Sequence, residues 1–255
     1  MAEEYDMNHA RRGKAVIISN ENFPNCSFLK PLNGSHHSVD HLTLGLQDLG
    51  FEIDPYCNLS KRKIIENLES VAAEDHSDAD CIIVAVMSHG NEDGVCGTDY
   101  DGVRNTGLVG IADIVDPFKG DRCQSLAGKP KIFIMNACRG SFIDQGVEVT
   151  DGPGNHIKDI ARIPVSADIL VCFSCCDGHI SHINEDNGSF FIYCLGKMLY
   201  EYGEKESLAD ILLMVKDRVA KHITRVKING KVCASLQMPV IDDTLRKKVF
   251  FGKRS

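Results

Sequence analysis

The sequence predicts an α/β sandwich: a central, mostly parallel sheet flanked by helices, with all layers in one domain. Two observations carry the prediction. Short β-rich runs alternate with helical patterns, and the runs at 81–88 and Lys131–Asn136 are apolar almost throughout. Continuous apolarity is what strands need when a parallel sheet is covered on both faces. At 255 residues and 43% hydrophobic, the chain can bury a substantial core.

Residues 15–19 read as a buried strand. Val39, Leu42, Leu46 and Leu49 then recur at helical spacing, and Gly50 supplies a stop. A second strand is expected over 51–56. Ser60 is placed as an N-cap, with Ile64, Ile65, Leu68, Val71 and Ala72 forming one apolar helical face behind it. The two apolar strands follow. Residues 140–163 lack periodicity and contain Asp151-Gly152-Pro153-Gly154-Asn155, an exposed-loop composition. Ile169–Phe173 reads as a strand, 189–202 and 207–222 as amphipathic helices, and 236–251 as two closing strands.

His89 and Cys138 both fall just past the C-terminal ends of their strands. Open α/β sheets bind ligands along that edge, so a thiol and an imidazole share the functional rim. Peptide hydrolysis by cysteine needs a deprotonable thiol, an imidazole within reach, and N–H donors for the oxyanion.

The run Ile134-Met135-Asn136-Ala137-Cys138-Arg139-Gly140 follows Met87-Ser88-His89-Gly90. A cysteine in Ala-Cys-Arg-Gly with a histidine about 50 residues upstream is a caspase signature. Gly120-Asp121-Arg122-Cys123-x-Ser125-Leu126-x-Gly128-Lys129-Pro130 is close to the family's wording. Tyr5-x-Met7-x-His9-x-x-Arg12-Gly13-x-Ala15 is similar to the start of the mature part of insect executioner caspases. The chain thus resembles a caspase over nearly its whole length. The resemblance implies a nucleophile at Cys138, a base at His89, and oxyanion N–H donors from Cys138 and Gly90.

The aspartate-binding positions depart from the family. Caspases hold that carboxylate with two arginines and a glutamine, and a neutral side chain cannot replace a bidentate guanidinium. The first arginine position, two before a glycine, is Leu32 in Leu32-Asn33-Gly34. The second falls in Ser181-His182-Ile183-Asn184 and is Ile183; the glutamine position is Asn136. His182 replaces an aromatic that walls the neighbouring subsite, Phe190 stands where tryptophan is common, and Asn184 fits the family. Lys30, His36 and His37 are the nearest candidates for a substitute cation.

By this resemblance 1–12 is a short N-terminal segment without room for a death-fold recruitment domain, and 13–140 is the large half. Residues 141–163 form a cleavable linker and 164–255 the small half. Glu148-Val149-Thr150-Asp151 before Gly152 reads as a processing site after Asp151, to be cut by another, upstream caspase. Pairing is implied through the last strands of the small half, around Met238-Pro239-Val240-Ile241, with an active caspase or a second copy.

A net charge of -8 and the lack of a basic stripe with interleaved aromatics argue against nucleic acid and anionic lipid as partners. The acidic start has no signal-peptide core, and the most apolar run is too short to span a bilayer. Eleven cysteines are then expected to be reduced thiols in the cytoplasm. Cys172-x-x-Cys175-Cys176 lacks a second ligand pair at structural-zinc spacing, so no metal or cofactor is expected.

The expected function is that of a catalytically impaired caspase homologue, a decoy that regulates an active caspase in apoptosis. The alternative is an active cysteine endopeptidase whose pocket takes an uncharged, apolar residue.

Overall fold

A computed structural model describes residues 3–104, 106–141, 165–228 and 231–252. Strand β1 (Lys14–Ser19) leads to helix α1 (Ser35–Asp48), β2 (Glu52–Cys57) and α2 (Lys61–Ala72). Gly50 adopts φ 83, a left-handed conformation that lets the chain reverse directly after α1. Ser60 caps α2 by accepting from the Lys63 N–H. Next come β3 (Ile82–Met87), three short strands β4 (Gly90–Asn91), β5 (Gly94–Cys96) and β6 (Leu108–Val109), helix α3 (Ile111–Val115) and β7 (Lys131–Asn136). Residues 165–252 hold β8 (Ile169–Phe173), α4 (Phe190–Tyr202), α5 (Leu208–Lys221), β9 (Thr224–Ile228), β10 (Lys231–Ser235) and β11 (Val240–Asp243). Ser189 and Ser207 cap α4 and α5, at the starts expected from the sequence.

The central sheet runs β11-β8-β7-β3-β1-β2, parallel except for β11, which pairs antiparallel with β8. Alternation along β3 divides the core. Ile83, Ala85 and Met87 face the layer of α1, α4 and α5, whereas Ile82, Val84 and Val86 face α2 and α3. Covering both faces is why these strands carry no polar alternation. No described helix is long and apolar enough to cross a membrane.

Three features depart from the sequence expectation. Residues 236–251 hold one strand of the central sheet, β11, not two. The stretch beyond it docks on the N-terminal segment instead: Tyr5 N donates to Lys248 O at 3.0 Å, and Lys248 N to Glu3 O at 2.8 Å. The β9–β10 hairpin and the three-stranded sheet β4-β5-β6 are additional.

Candidate active site

β3 and β7 are neighbours, and their register sets Met87 opposite Asn136. The chain therefore leaves both strands side by side, into Ser88-His89-Gly90 on one and Ala137-Cys138 on the other. Gly90 opens β4 directly against this turn. A Cβ there would lie 2.6 Å from the Gly94 carbonyl oxygen and 2.9 Å from that of Cys138. Only a residue without a side chain fits, so the Gly90 and Cys138 backbones stay in contact.

His89 Nε2 lies 2.8 Å from the Lys30 carbonyl oxygen. A carbonyl only accepts, so Nε2 carries the proton and Nδ1 is left as the acceptor. The ring packs edge-on against Phe23, centroids 4.8 Å apart. Burial lowers the imidazole's pKa, with the Lys30 carbonyl acting partly against it. Burial raises the Cys138 thiol, partly offset by the Ser181 N–H, which donates to Sγ at 3.3 Å. The thiol also reaches the Ser181 carbonyl at 3.6 Å. Among the described residues, no hydrogen bond joins Sγ to the His89 ring. Both shifts favour neutral partners, a thiol beside an imidazole rather than an ion pair.

Both groups open onto a cavity of about 250 Å³. Leu32, Asn136, Ile183 and His182 line it together with Ser35, Ser38, Met87 and Ser181. Among the described residues, no lysine or arginine lines it. Lys30 contributes a carbonyl to His89 and not its ammonium to the cavity, and His36 and His37 lie against each other outside it, their rings tilted by 40°. Asn136 Oδ1 accepts from Ser189 Oγ at 3.0 Å and from Ser181 Oγ at 3.3 Å.

The remaining candidates are placed differently. His182 is braced by Ser235 Oγ, 2.8 Å from its Nε2, and burial followed by the nearby His222 lowers its pKa. Asn184 is exposed and outside the cavity walls; its Oδ1 accepts from Asp186 N at 2.7 Å and shapes a turn closed by Gly188. Phe190 stacks on His222, centroids 3.7 Å apart, also outside the cavity walls. Asp151 lies outside the described residues. The Lys30 carbonyl and the Ser181 backbone were not foreseen as site groups, because a main-chain atom leaves no side-chain signal. A larger cavity of about 400 Å³, between the N-terminal segment and Phe250, Phe251 and Gly252, contains neither reactive group.

A thiol and an imidazole on one rim of this sheet define a class, and comparison with known proteins agrees. The caspase domain model matches residues 12–250, and the chain belongs to the caspase family. Chicken (Gallus gallus) caspase-7 is 32% identical over 253 residues, spanning 97% of this chain and 80% of its own. Mouse (Mus musculus) caspase-6 is 33% identical, spanning 98% and 92%, and Xenopus laevis caspase-3 is 36% identical, spanning 98% and 84%. The crystal structure of caspase-1 from Spodoptera frugiperda superposes with a TM-score of 0.88 at 32% identity, covering 99% of this chain and 96% of that one.

Proposed function

We propose that this chain is a caspase homologue that keeps the Cys138/His89 pair but has lost the aspartate pocket, and that it acts as a regulator of an active caspase. The cavity beside Cys138 carries this reading, since Leu32, Asn136 and Ile183 line it and, among the described residues, no lysine or arginine does. Leaving a buried carboxylate without its partner costs about 3–5 kcal/mol. At roughly 1.4 kcal/mol per tenfold, one lost pair lowers turnover on the order of 10² to 10⁴. Two cations are missing, so little aspartate-directed cleavage is expected. Pairing through the small half would let the chain support a competent partner or occupy one of its ligands, in a cytosolic setting that suits its free thiols. The chain is read as halves 13–140 and 164–255 joined by a linker that another caspase cuts after Asp151.

The second reading is an active endopeptidase with apolar primary specificity. It is favoured by Leu32 and Ile183 walling the cavity onto which both Cys138 and His89 open.

One design separates them. The chain, nicked after Asp151, is profiled against peptides randomised before the scissile bond, beside a Cys138→Ala control. Turnover of an apolar-residue peptide that vanishes in the control selects the second reading. Intact and nicked chains are then titrated into an active caspase; no change in that enzyme's activity with either form removes the regulator reading.

A further inference from the structure

We propose that Lys131 is a covalent modification site: its amine, on the wall of a cavity at the far end of β7 from Cys138, condenses with small aldehydes to form an imine. The cavity measures about 290 Å³, and Gly120, Ala127, Gly128, Ala167 and Asp168 line it together with Lys131. That volume lies near the lower end of the roughly 300–1,000 Å³ of small-molecule sites. It shares no wall residue with the cavity beside Cys138, so the assignment is independent of the regulator and protease readings.

Lys131 opens β7, where its backbone N–H donates to Asp168 O at 2.8 Å, and it is only 1% exposed. Its Nζ donates to Leu126 O at 3.1 Å and to Lys129 O at 2.8 Å. An ammonium carries three donors, so one would have no partner among the described residues. A neutral amine fits better: two N–H groups meet the two carbonyls, and the remaining position holds a lone pair. Nor does Lys131 have an ion-pair partner among the described residues. The Asp168 carboxylate is taken up by Arg246, at 2.9 and 3.1 Å, and by Tyr5 Oη at 2.7 Å.

Burial favours the same protonation state. It lowers Lys131 to about 8, with Asp168 and Cys123 acting against the shift and Arg246 with it. At neutral pH the free-amine fraction is then on the order of a hundredfold above that of an ordinary lysine. A lone pair attacks a carbonyl carbon instead of pairing with an anion, and Asp121 and Asp168 in the wall also disfavour anions. In the condensation the nitrogen bonds to the carbonyl carbon, and its two protons leave with the carbonyl oxygen as water. No electron is gained or lost. Lys129 supplies an internal control. Burial lowers its pKa too, but its Nζ donates to His76 O, Ser77 O and Ala79 O at 2.8, 2.7 and 2.6 Å. Three acceptors hold it as an ammonium, and it is not among the cavity walls.

The test treats the intact chain near neutral pH with limiting benzaldehyde and cyanoborohydride, which traps the imine as a stable benzylamine, and maps the peptides in a mass spectrometer. Lys131 should carry at least about tenfold more adduct than exposed lysines such as Lys205, while Lys129 stays at or below their level. In concentrated urea that preference should vanish. Lys131→Arg, which keeps donors for the two carbonyls, should lose the adduct without passing it to Lys129; the wild-type map decides even where this variant does not fold. Even labelling of all lysines overturns the proposal, as does a preference for Lys131 that persists in urea. So does labelling of Lys129 as strong as that of Lys131, which would trace the reactivity to burial alone and not to the cavity.

Discussion

Leu32 and Ile183 line the cavity that opens beside Cys138, where an incoming carboxylate needs a positive counterpart. Replacing both by arginine, Leu32→Arg with Ile183→Arg, should raise cleavage of aspartate-ending reporters by about tenfold or more, within the range one restored ion pair allows. No gain would place the defect elsewhere in the groove, with the shorter Asn136 the first suspect. The thiol supplies a second prediction at this scale. Burial raises Cys138 and lowers His89, so neither shift supports a thiolate–imidazolium pair at neutral pH. Alkylation of Cys138, followed peptide by peptide in a mass spectrometer, should accelerate only as pH passes the ordinary thiol value of 9.0. A half-maximal rate near pH 6–7 would instead reveal an ion pair. That Cys138 and His89 belong beside one another was legible because family motifs quote them residue by residue, and both open onto one cavity. The Lys30 carbonyl and the Ser181 N–H that brace them were not, since any residue type carries those atoms.

Among the elements, α1 and α4 cross at glycines. A Cβ on Gly45 would lie 2.5 Å from the Gly196 carbonyl oxygen, and one on Gly196 would lie 2.2 Å from that of His41. Read as sequence, a glycine inside a helix is only a weak point; in the fold it lets two backbones touch. Gly45→Ala should therefore destabilise the chain by about 1–3 kcal/mol despite alanine's better helix propensity, through forced separation of the helices. Urea midpoints measure this, and a stabilised variant would show that the crossing relaxes without strain. The strands at β3 and β7 were readable because burial on both faces demands unbroken apolar residues. The β9–β10 hairpin was not: its described side chains are mostly exposed or half-buried, so no apolar pattern marks it. Neither was β4-β5-β6, whose strands are two or three residues long. The second of the two strands expected within 236–251 is replaced by a stretch that pairs with the N-terminal segment at Lys248, a partner that local pattern cannot name.

For the whole molecule, buried titratable groups set a window of stability. Cys96 and Cys172 are pushed up to about 12, and Cys175 and Cys194 to about 11, all by burial. Groups whose folded pKa is raised stabilise fully below the ordinary value of 9.0 and lose that contribution as pH climbs through the raised values. Lys131, lowered to about 8 by burial, works in the opposite sense between there and 10.5. Lys129 is lowered by burial as well and Cys138 raised, so two lysines oppose five thiols and the fall wins. On the acid side His89 and His182 are lowered from 6.5, and their contribution is lost as pH drops through the lowered values. Urea midpoints in reducing buffer should be highest between about pH 6.5 and 9 and decline from 9 toward 11. A midpoint that rises across the alkaline range would contradict the burial of these thiols.

The sequence by itself determined the α/β class and the family, and it singled out Cys138, His89, Leu32, Asn136 and Ile183. Those follow from local apolar runs and from motifs that name their own members. Tertiary structure alone decided that Leu32, Asn136 and Ile183, far apart along the chain, line one cavity beside Cys138. It alone decided that His89 donates to a main-chain carbonyl and that, among the described residues, β11 is the last strand of the sheet. The physical reason is common to all three. Desolvation and pairing act between groups brought together by the register of nonadjacent strands, and register is a property of the assembled sheet.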